Sequence, residues 1–354
     1  MAIEVKDFGT SREGKKVYLY SLTNSKGMKA EFMNVGAILV NLFVPKSDGT
    51  LDDVVLGFDS VDAYYGNISF FGALIGPSAN RIAEAYYELD DVGYCLDIND
   101  NENNLHSHFD LGYHKRYFEA ETDEKKNAVT FSLEDPGTLG FPGNKRISVT
   151  YTLTEENELV LHYHGSSDEL TIINLTNHTY FNLDGHASGK ILDHTLTIEA
   201  DTYTPGDEGS IPYGDIVPVE GTPMDFTKAT RVGDRIDEDF EQLVFAKGYD
   251  HNYCIRGWED NNTLRPAATL SSEKSGRTMK VFTTLPGMQF YAGNCIKPQD
   301  GKDGVKYKKR DGLCLETQYY PDNIHHDNFP AGVFGGDSAD SRDYDSTTVY
   351  AFSW

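Results

Sequence analysis

The chain reads as an all-β protein, a large antiparallel β-sandwich, and three observations on its 354 residues predict this. Short alternating or aromatic runs are broken by turn chemistry such as Asn24-Ser25-Lys26-Gly27 and Ser47-Asp48-Gly49. Strand-like runs follow one another without the regular helical patterns that a βαβ architecture would insert between them. Finally, 22 Tyr, 19 Phe and 33 Gly suit a broad sheet protein with many tight turns.

From Val17 onward the expected elements are these. Residues 37–44 form an aliphatic run that reads as a buried strand, and 53–58, 128–133, 146–153, 159–164, 196–200, 279–284 and 349–352 read as further strands. Residues 201–237 are the exception. Prolines in Thr204-Pro205-Gly206, Ile211-Pro212-Tyr213-Gly214 and Gly221-Thr222-Pro223 confine this stretch to loops and edge pieces. A loop that long in a compact fold is usually functional, so it is expected to wall a cleft. Residues 335–346, rich in Asp and Ser, read as an exposed loop before the last strand. No composition shift, linker or low-complexity tract divides the chain, and residues 1–354 are expected to form a single domain.

Lys plus Arg number 31 against 56 Asp plus Glu, a formal charge of -25. A field of that sign repels nucleic acid, anionic membrane and phosphorylated metabolites, and favours a neutral ligand. The N-terminal Met-Ala-Ile-Glu-Val-Lys-Asp lacks the basic start and apolar run of a secretory signal, and no stretch is apolar enough to cross a bilayer. A soluble cytoplasmic protein is the expectation. Cys95, Cys254, Cys295 and Cys314 are widely spaced, without a Cys-x-x-Cys pair, and read as reduced core residues with no zinc site or disulfide framework. Sequons at Asn67, Asn174, Asn177 and Asn261 would matter only in a secreted protein.

The most informative segment is Asn174-Leu175-Thr176-Asn177-His178-Thr179-Tyr180-Phe181-Asn182-Leu183. Read as a strand, it turns His178 to the same face as Thr176, Tyr180 and Asn182, a wall of hydrogen-bonding groups where a buried strand would place aliphatic ones. Leu315-Glu316-Thr317-Gln318-Tyr319-Tyr320-Pro321 sets a carboxylate in an apolar and aromatic context. Imidazole and carboxylate are the side chains best suited to moving protons near neutral pH.

Other clusters have bland readings when taken alone. Phe70-Phe71-Gly72-Ala73-Leu74-Ile75-Gly76 leads into Asn80-Arg81-Ile82, which could be a surface Arg after a core strand. Asn104-Leu105-His106-Ser107-His108 would put two imidazoles on one strand face with Asp110 beyond, or hold only solvated loop histidines. Tyr249-Asp250-His251-Asn252-Tyr253 flanks a carboxylate with aromatics, as a sugar ring would require, yet is also common turn composition. Leu285-Pro286-Gly287-Met288-Gln289-Phe290-Tyr291 offers an amide or a sheet edge, and His325-His326 reads as a polar loop. No nucleophile elbow, phosphate loop or dinucleotide fingerprint is present, which leaves proton-transfer chemistry.

These pieces together resemble the aldose 1-epimerase (galactose mutarotase) family. The resemblance rests on Asn80-Arg81-Ile82, Asn104-Leu105-His106, Thr176 to Leu183, Asp250-His251-Asn252, Pro286 to Tyr291, and Leu315-Glu316-Thr317-Gln318 with Tyr320-Pro321, in family order along essentially the whole chain. It implies a galactose mutarotase-like supersandwich that interconverts the α and β anomers of free aldohexoses such as galactose and glucose. It also implies His178 as general acid and Glu316 as general base, with Asn80, Arg81, His106, Asp250 and Gln289 holding the sugar hydroxyls. Neither metal nor cofactor is implied, and the expected partner is the small-molecule sugar alone, with a monomer or homodimer as the working unit. Nearby Asp and Glu should favour the imidazolium form of His178. The chain departs from the family at Ser107 and His108, where two glycines are usual, at Pro77-Ser78, where an Arg commonly follows the glycine, and in the 331–346 tail. Those departures point to sugar preference.

Three rival readings stand beside this one. A hexose-6-phosphate 1-epimerase would need a cationic phosphate pocket that the charge balance disfavours. A non-catalytic carbohydrate-binding protein would not need both proton-transfer residues. A metal oxygenase could draw on the His-x-Asp spacing of His108-Phe109-Asp110, a short spacing that chance often produces.

Overall fold

The computed structural model describes residues 3–337 and 341–354. Antiparallel sheets dominate it. A five-stranded meander runs through Glu4–Thr10, Lys16–Thr23, Lys29–Met33, Ile38–Pro45 and Leu51–Asp53. A nine-stranded sheet takes the order Glu119–Asp123, Ala128–Pro136, Asn144–Leu153, Glu158–Ser167, Tyr344–Ser353, Thr278–Thr283, Arg265–Ser271, Thr195–Ile198 and Thr230–Arg231. A second five-stranded sheet holds Val217–Pro218, Thr202–Thr204, Asp250–Cys254, Gly287–Tyr291 and Cys314–Gln318. The α-helices among the described residues are short, Val61–Tyr65 and Glu241–Ala246. The all-β expectation holds, and no helix among the described residues is long and apolar enough to cross a membrane.

Period-two patterning builds the core. In Asn144–Leu153 the side chains of Ile147, Val149, Tyr151 and Leu153 point inward while their neighbours reach solvent. Phe32 of the first sheet stacks on Tyr151 of the nine-stranded sheet with ring centroids 4.3 Å apart, and the Tyr151 hydroxyl donates to the Ala37 carbonyl at 2.8 Å. Tyr253, Met288, Phe290 and Leu315 of the second five-stranded sheet join the same apolar cluster.

Most strands run further than their apolar stretches suggest. Residues 349–352 belong to a strand that begins at Tyr344, and 128–133 to one that ends at Pro136. Residues 53–58 differ in kind. Val54 donates to Leu42 and Leu56 to Tyr180, so this segment passes from one partner to another and forms regular strand only over Leu51–Asp53. Of the loop expected over 335–346, residues 338–340 lie outside the described residues.

A buried cation ties the site segment to two sheets. Arg277, fully buried, donates to the carbonyls of Val44 at 2.7 Å, Pro45 at 3.1 Å and Leu183 at 2.8 Å, and pairs with Asp52 at 2.9 Å. Leu183 closes the segment that carries His178.

Candidate active site

The site is the polar face of the second five-stranded sheet. In the register of its central strands Asn252 pairs with Gln289, Gln289 with Glu316, and Gly287 with Gln318. Cross-strand partners share a face, and so do alternate residues along a strand. Asp250, Asn252, Gln289, Tyr291, Cys314, Glu316 and Gln318 therefore line one side, while Tyr253, Met288, Phe290 and Leu315 face the core. Gly287 is needed for this floor to close, since a Cβ there would fall 2.4 Å from the Asn252 amide oxygen.

His178 arrives from above on a segment that is not the regular strand expected. Only Thr176–Asn177 pairs, with Leu74–Ile75. Beyond it the backbone is held piecewise: His178 donates to Ala73 at 2.9 Å, Gly72 to His178 at 3.0 Å, Phe181 to Leu313 at 2.7 Å and Asn182 to Val54 at 2.8 Å. Both sides of the segment are buried, so the expected polar wall does not form. Thr176 Oγ1 lies buried without a hydrogen-bond partner, and Asn182 donates to the carbonyls of Gly189 and Asp311. Only His178 and Tyr180 of that set line the cavity.

That cavity, about 380 Å³, is lined by His178, Glu316, Asn80, Arg81, His106, Asp250 and Gln289, every site residue picked from sequence. His178 Nε2 stands 3.7 Å from Glu316 Oε1, and both residues are buried. Phe70 and Tyr180 pack on the imidazole, their ring centroids 5.6 and 5.1 Å away, and His106 meets it edge-on at 5.3 Å. Cys314 Sγ lies 3.5 Å from His178 Nδ1.

The amides of the floor form a directed chain. Asn80 Nδ2 donates to Gln318 Oε1 at 3.4 Å, Gln318 Nε2 to Gln289 Oε1 at 3.1 Å, and Gln289 Nε2 to Asp250 Oδ1 at 2.7 Å. An ionised carboxylate only accepts, so Asp250 fixes the direction of the whole chain. Arg81 is oriented by Asp100, whose Oδ2 takes its Nε–H at 2.7 Å.

Burial sets the charges. It depresses the His178 imidazole to about 4 and lifts the Glu316 carboxyl well above the usual range; the nearby Asp250 carboxylate adds to the lift and Arg81 opposes it. Asp250 is raised chiefly by burial, with Arg81 and Gln289 opposing. His106 is lowered by burial, then by His178 and Arg81. The expectation that neighbouring carboxylates favour the imidazolium form of His178 is thus reversed: desolvation wins.

Several sequence readings change. Strand geometry covers only Asn104–Leu105; His106 and Ser107 have φ of 53° and 68°, so His106 and His108 do not share a strand face. His108 Nδ1 accepts from the amides of Asp110 and Leu111, and neither His108 nor Asp110 joins a metal-ligand cluster among the described residues, so the His-x-Asp spacing does not assemble a ligand set. Pro77, Ser78, Ser107 and His108 are not among the cavity's lining residues. All four cysteines are free, but Cys95 and Cys295 are exposed and only Cys254 and Cys314 are core residues. Asn67, Asn174 and Asn177 are buried.

Asp100, Ile68, Phe109, Cys295 and Lys297 also line the cavity and had no sequence signal. Asp100 stands in Asp97-Ile98-Asn99-Asp100-Asn101, whose composition is that of any turn. The cleft wall expected from 201–237 is present. Thr204, Gly206, Asp207, Ser210 and Pro212 line a small adjoining niche that shares Asn80, Asp250 and Gln289 with the main cavity.

The profile of the aldose 1-epimerase family matches residues 18–340. The chain belongs to the aldose 1-epimerase family. It is 39% identical to galactose mutarotase from Homo sapiens over 92% of this chain and 91% of that protein. It is 35% identical to aldose 1-epimerase from Escherichia coli strain K12 over 90% of each. Among solved structures, galactose 1-epimerase from Lactobacillus acidophilus superposes with a TM-score of 0.85 at 28% identity, covering 100% of this chain and 99% of that one. An aldose epimerase homologue from C. elegans gives 0.84 at 28% identity, covering 95% and 98%. The fold is that of the galactose mutarotase-like proteins, and the cavity of this aldose 1-epimerase family member sits on its second five-stranded sheet.

Proposed function

We propose that this isomerase interconverts the α and β anomers of free aldohexoses, galactose and glucose among them, with His178 and Glu316 as the proton-transfer pair. The observation that carries the reading is their 3.7 Å separation inside one buried cavity floored by hydrogen-bonding amides. Glu316 takes the proton of the C1 hydroxyl as His178, in imidazolium form, gives one to the ring oxygen, and the C1–O5 bond opens. The pair is left as neutral imidazole and carboxylic acid, the state that burial favours, so burial stabilises the pair on the open-chain side. Rotation about C1–C2 presents the other carbonyl face, and reclosure reverses both transfers. Each positioned group is worth roughly 10² to 10⁴ in rate, and the two together supply about 6 to 10 kcal/mol without a cofactor.

Asn80, Arg81, His106, Asp250 and Gln289 hold the sugar hydroxyls in this reading. Three carboxyls, Asp100, Asp250 and Glu316, line the cavity against the two cations Arg81 and Lys297, and Arg81 is engaged with Asp100. Those charges speak against a phosphosugar substrate. The free thiols of all four cysteines support a reducing, cytoplasmic setting. Polarimetry on the purified protein with galactose, glucose and glucose 6-phosphate tests the function. Accelerated mutarotation of the free sugars is expected, and equal or greater acceleration of the phosphate ester, or none of any sugar, would refute it.

A further inference from the structure

One nitrogen from each of His106 and His178 and one oxygen of Glu316 lie within 4.8 Å of one another. Two imidazoles and a carboxylate are the donor set of many zinc and non-haem iron sites. In such sites a histidine turns a lone pair to the ion and donates its other N–H to a neighbour. His106 has the opposite arrangement. Its Nδ1 lies 3.1 Å from the backbone nitrogen of Asn80, and an amide can only donate. With Nδ1 as acceptor, the proton of the neutral ring sits on Nε2 and no lone pair is left for an ion.

We propose that the Asn80 amide locks His106 in its Nε2-protonated form, making it a donor-only contact for the sugar and preventing the His106–His178–Glu316 trio from closing on a divalent cation. The sugar atom opposite His106 must then accept, which the ring oxygen and every hydroxyl oxygen can do. The donor-only role rests on the function proposed above; the tautomer does not.

A backbone clamp holds the lock. Asn80, His106 and Ser107 have φ of 61°, 53° and 68°, a left-handed conformation that costs a non-glycine residue energy and persists only where its surroundings enforce it. His106 donates its amide to Asn80 O at 2.9 Å. Ser107 Oγ accepts from Ser78 N at 2.9 Å and donates to Ser78 O at 3.0 Å. Asn104 Nδ2 donates to Ser107 O at 2.8 Å. Where the resemblance leads one to expect glycine, Ser107 replaces conformational freedom with two hydrogen bonds, which makes it a positioning residue for His106.

Long-range proton–nitrogen spectra of the full chain carrying 15N-histidine test the proposal, with His106→Gln identifying the signals. His106 should show one unprotonated Nδ1 and one protonated Nε2, unchanged by excess zinc ion, with no zinc retained after gel filtration. A protonated Nδ1 overturns the proposal, as does a one-to-one zinc complex that shifts His106 and His178 together and is displaced by galactose. Ser107→Ala should bring His106 into exchange between tautomers and raise KM about fivefold with kcat nearly unchanged, as for one lost neutral hydrogen bond. Ser107→Gly should do the same. A wild-type His106 spectrum in both variants overturns the positioning role of Ser107. The spectra are read on the free protein, so a wrong tautomer and an absent mutarotase activity are separate failures.

Discussion

His178 Nε2 and Glu316 Oε1 stand 3.7 Å apart, close enough to exchange a proton through one bridging oxygen and too far to satisfy each other directly. Both are buried, and burial lowers the His178 imidazole to about 4 while it raises the Glu316 carboxyl. Activity should therefore hold a wide plateau. Its acid limb should fall near the depressed value of about 4 for His178. A pH profile of kcat/KM checks this; an acid limb near pH 6.5, the range of an ordinary histidine, would contradict it.

Stability should depend on the same burial. His106, His114, His178, His194 and His251 are all lowered by desolvation, His114 to about 3 and His178, His194 and His251 to about 4. A histidine depressed in the folded state contributes stability that is fully present above its unfolded value near 6.5 and is lost as pH falls toward about 4. Asp250, Glu316 and Asp311 are raised, so they bind protons in the folded state over the same window and offset part of the loss. With five histidines set against three carboxyls, the net effect should be a loss of stability as pH falls from 7.5 to 5. Urea unfolding at pH 7.5, 6 and 5 measures it, and equal midpoints would refute the account.

Gln318, fully buried, joins Asn80, Asn252 and Gln289. Gln318→Leu keeps the volume roughly constant and leaves those amides unpaired, at a cost of about 3 kcal/mol. KM should rise with it, since Asn80 and Gln289 lose their orientation. Urea titration and initial rates on one preparation check both; a variant with wild-type stability would mean the chain of amides is not formed.

Asp100 presents a different balance. Its pairing with Arg81 is partly exposed, so Asp100→Asn should change stability by less than about 1 kcal/mol. If its role is to aim Arg81 into the cavity, KM should rise several-fold with kcat little changed. A parallel measurement of melting temperature and kinetics separates the two, and an unchanged KM would remove Asp100 from the site.

The strands and the site residues were legible in the sequence for different reasons. Runs such as Ile147 to Leu153 alternate by twos because one face is buried, and that pattern is local. His178 and Glu316 stood out because a proton-transfer group interrupts an apolar or aromatic context, also a local signal. What stayed hidden depended on contacts distant in sequence. The segment around His178 looked like one strand, but its amides are shared among Ala73, Leu313 and Val54, and no local pattern encodes such a division. Asp100 became visible only when Arg81 folded against it, and the charge state of His178 followed from burial that composition does not report.

Polarimetry of galactose mutarotation by the wild-type chain, His178→Ala, Glu316→Gln and the double variant tests the central claim most directly. Each single variant should lose at least about 10² in rate, and the double should lose little more, because the two groups act as one unit. A single variant that keeps the wild-type rate would contradict the pairing of His178 with Glu316.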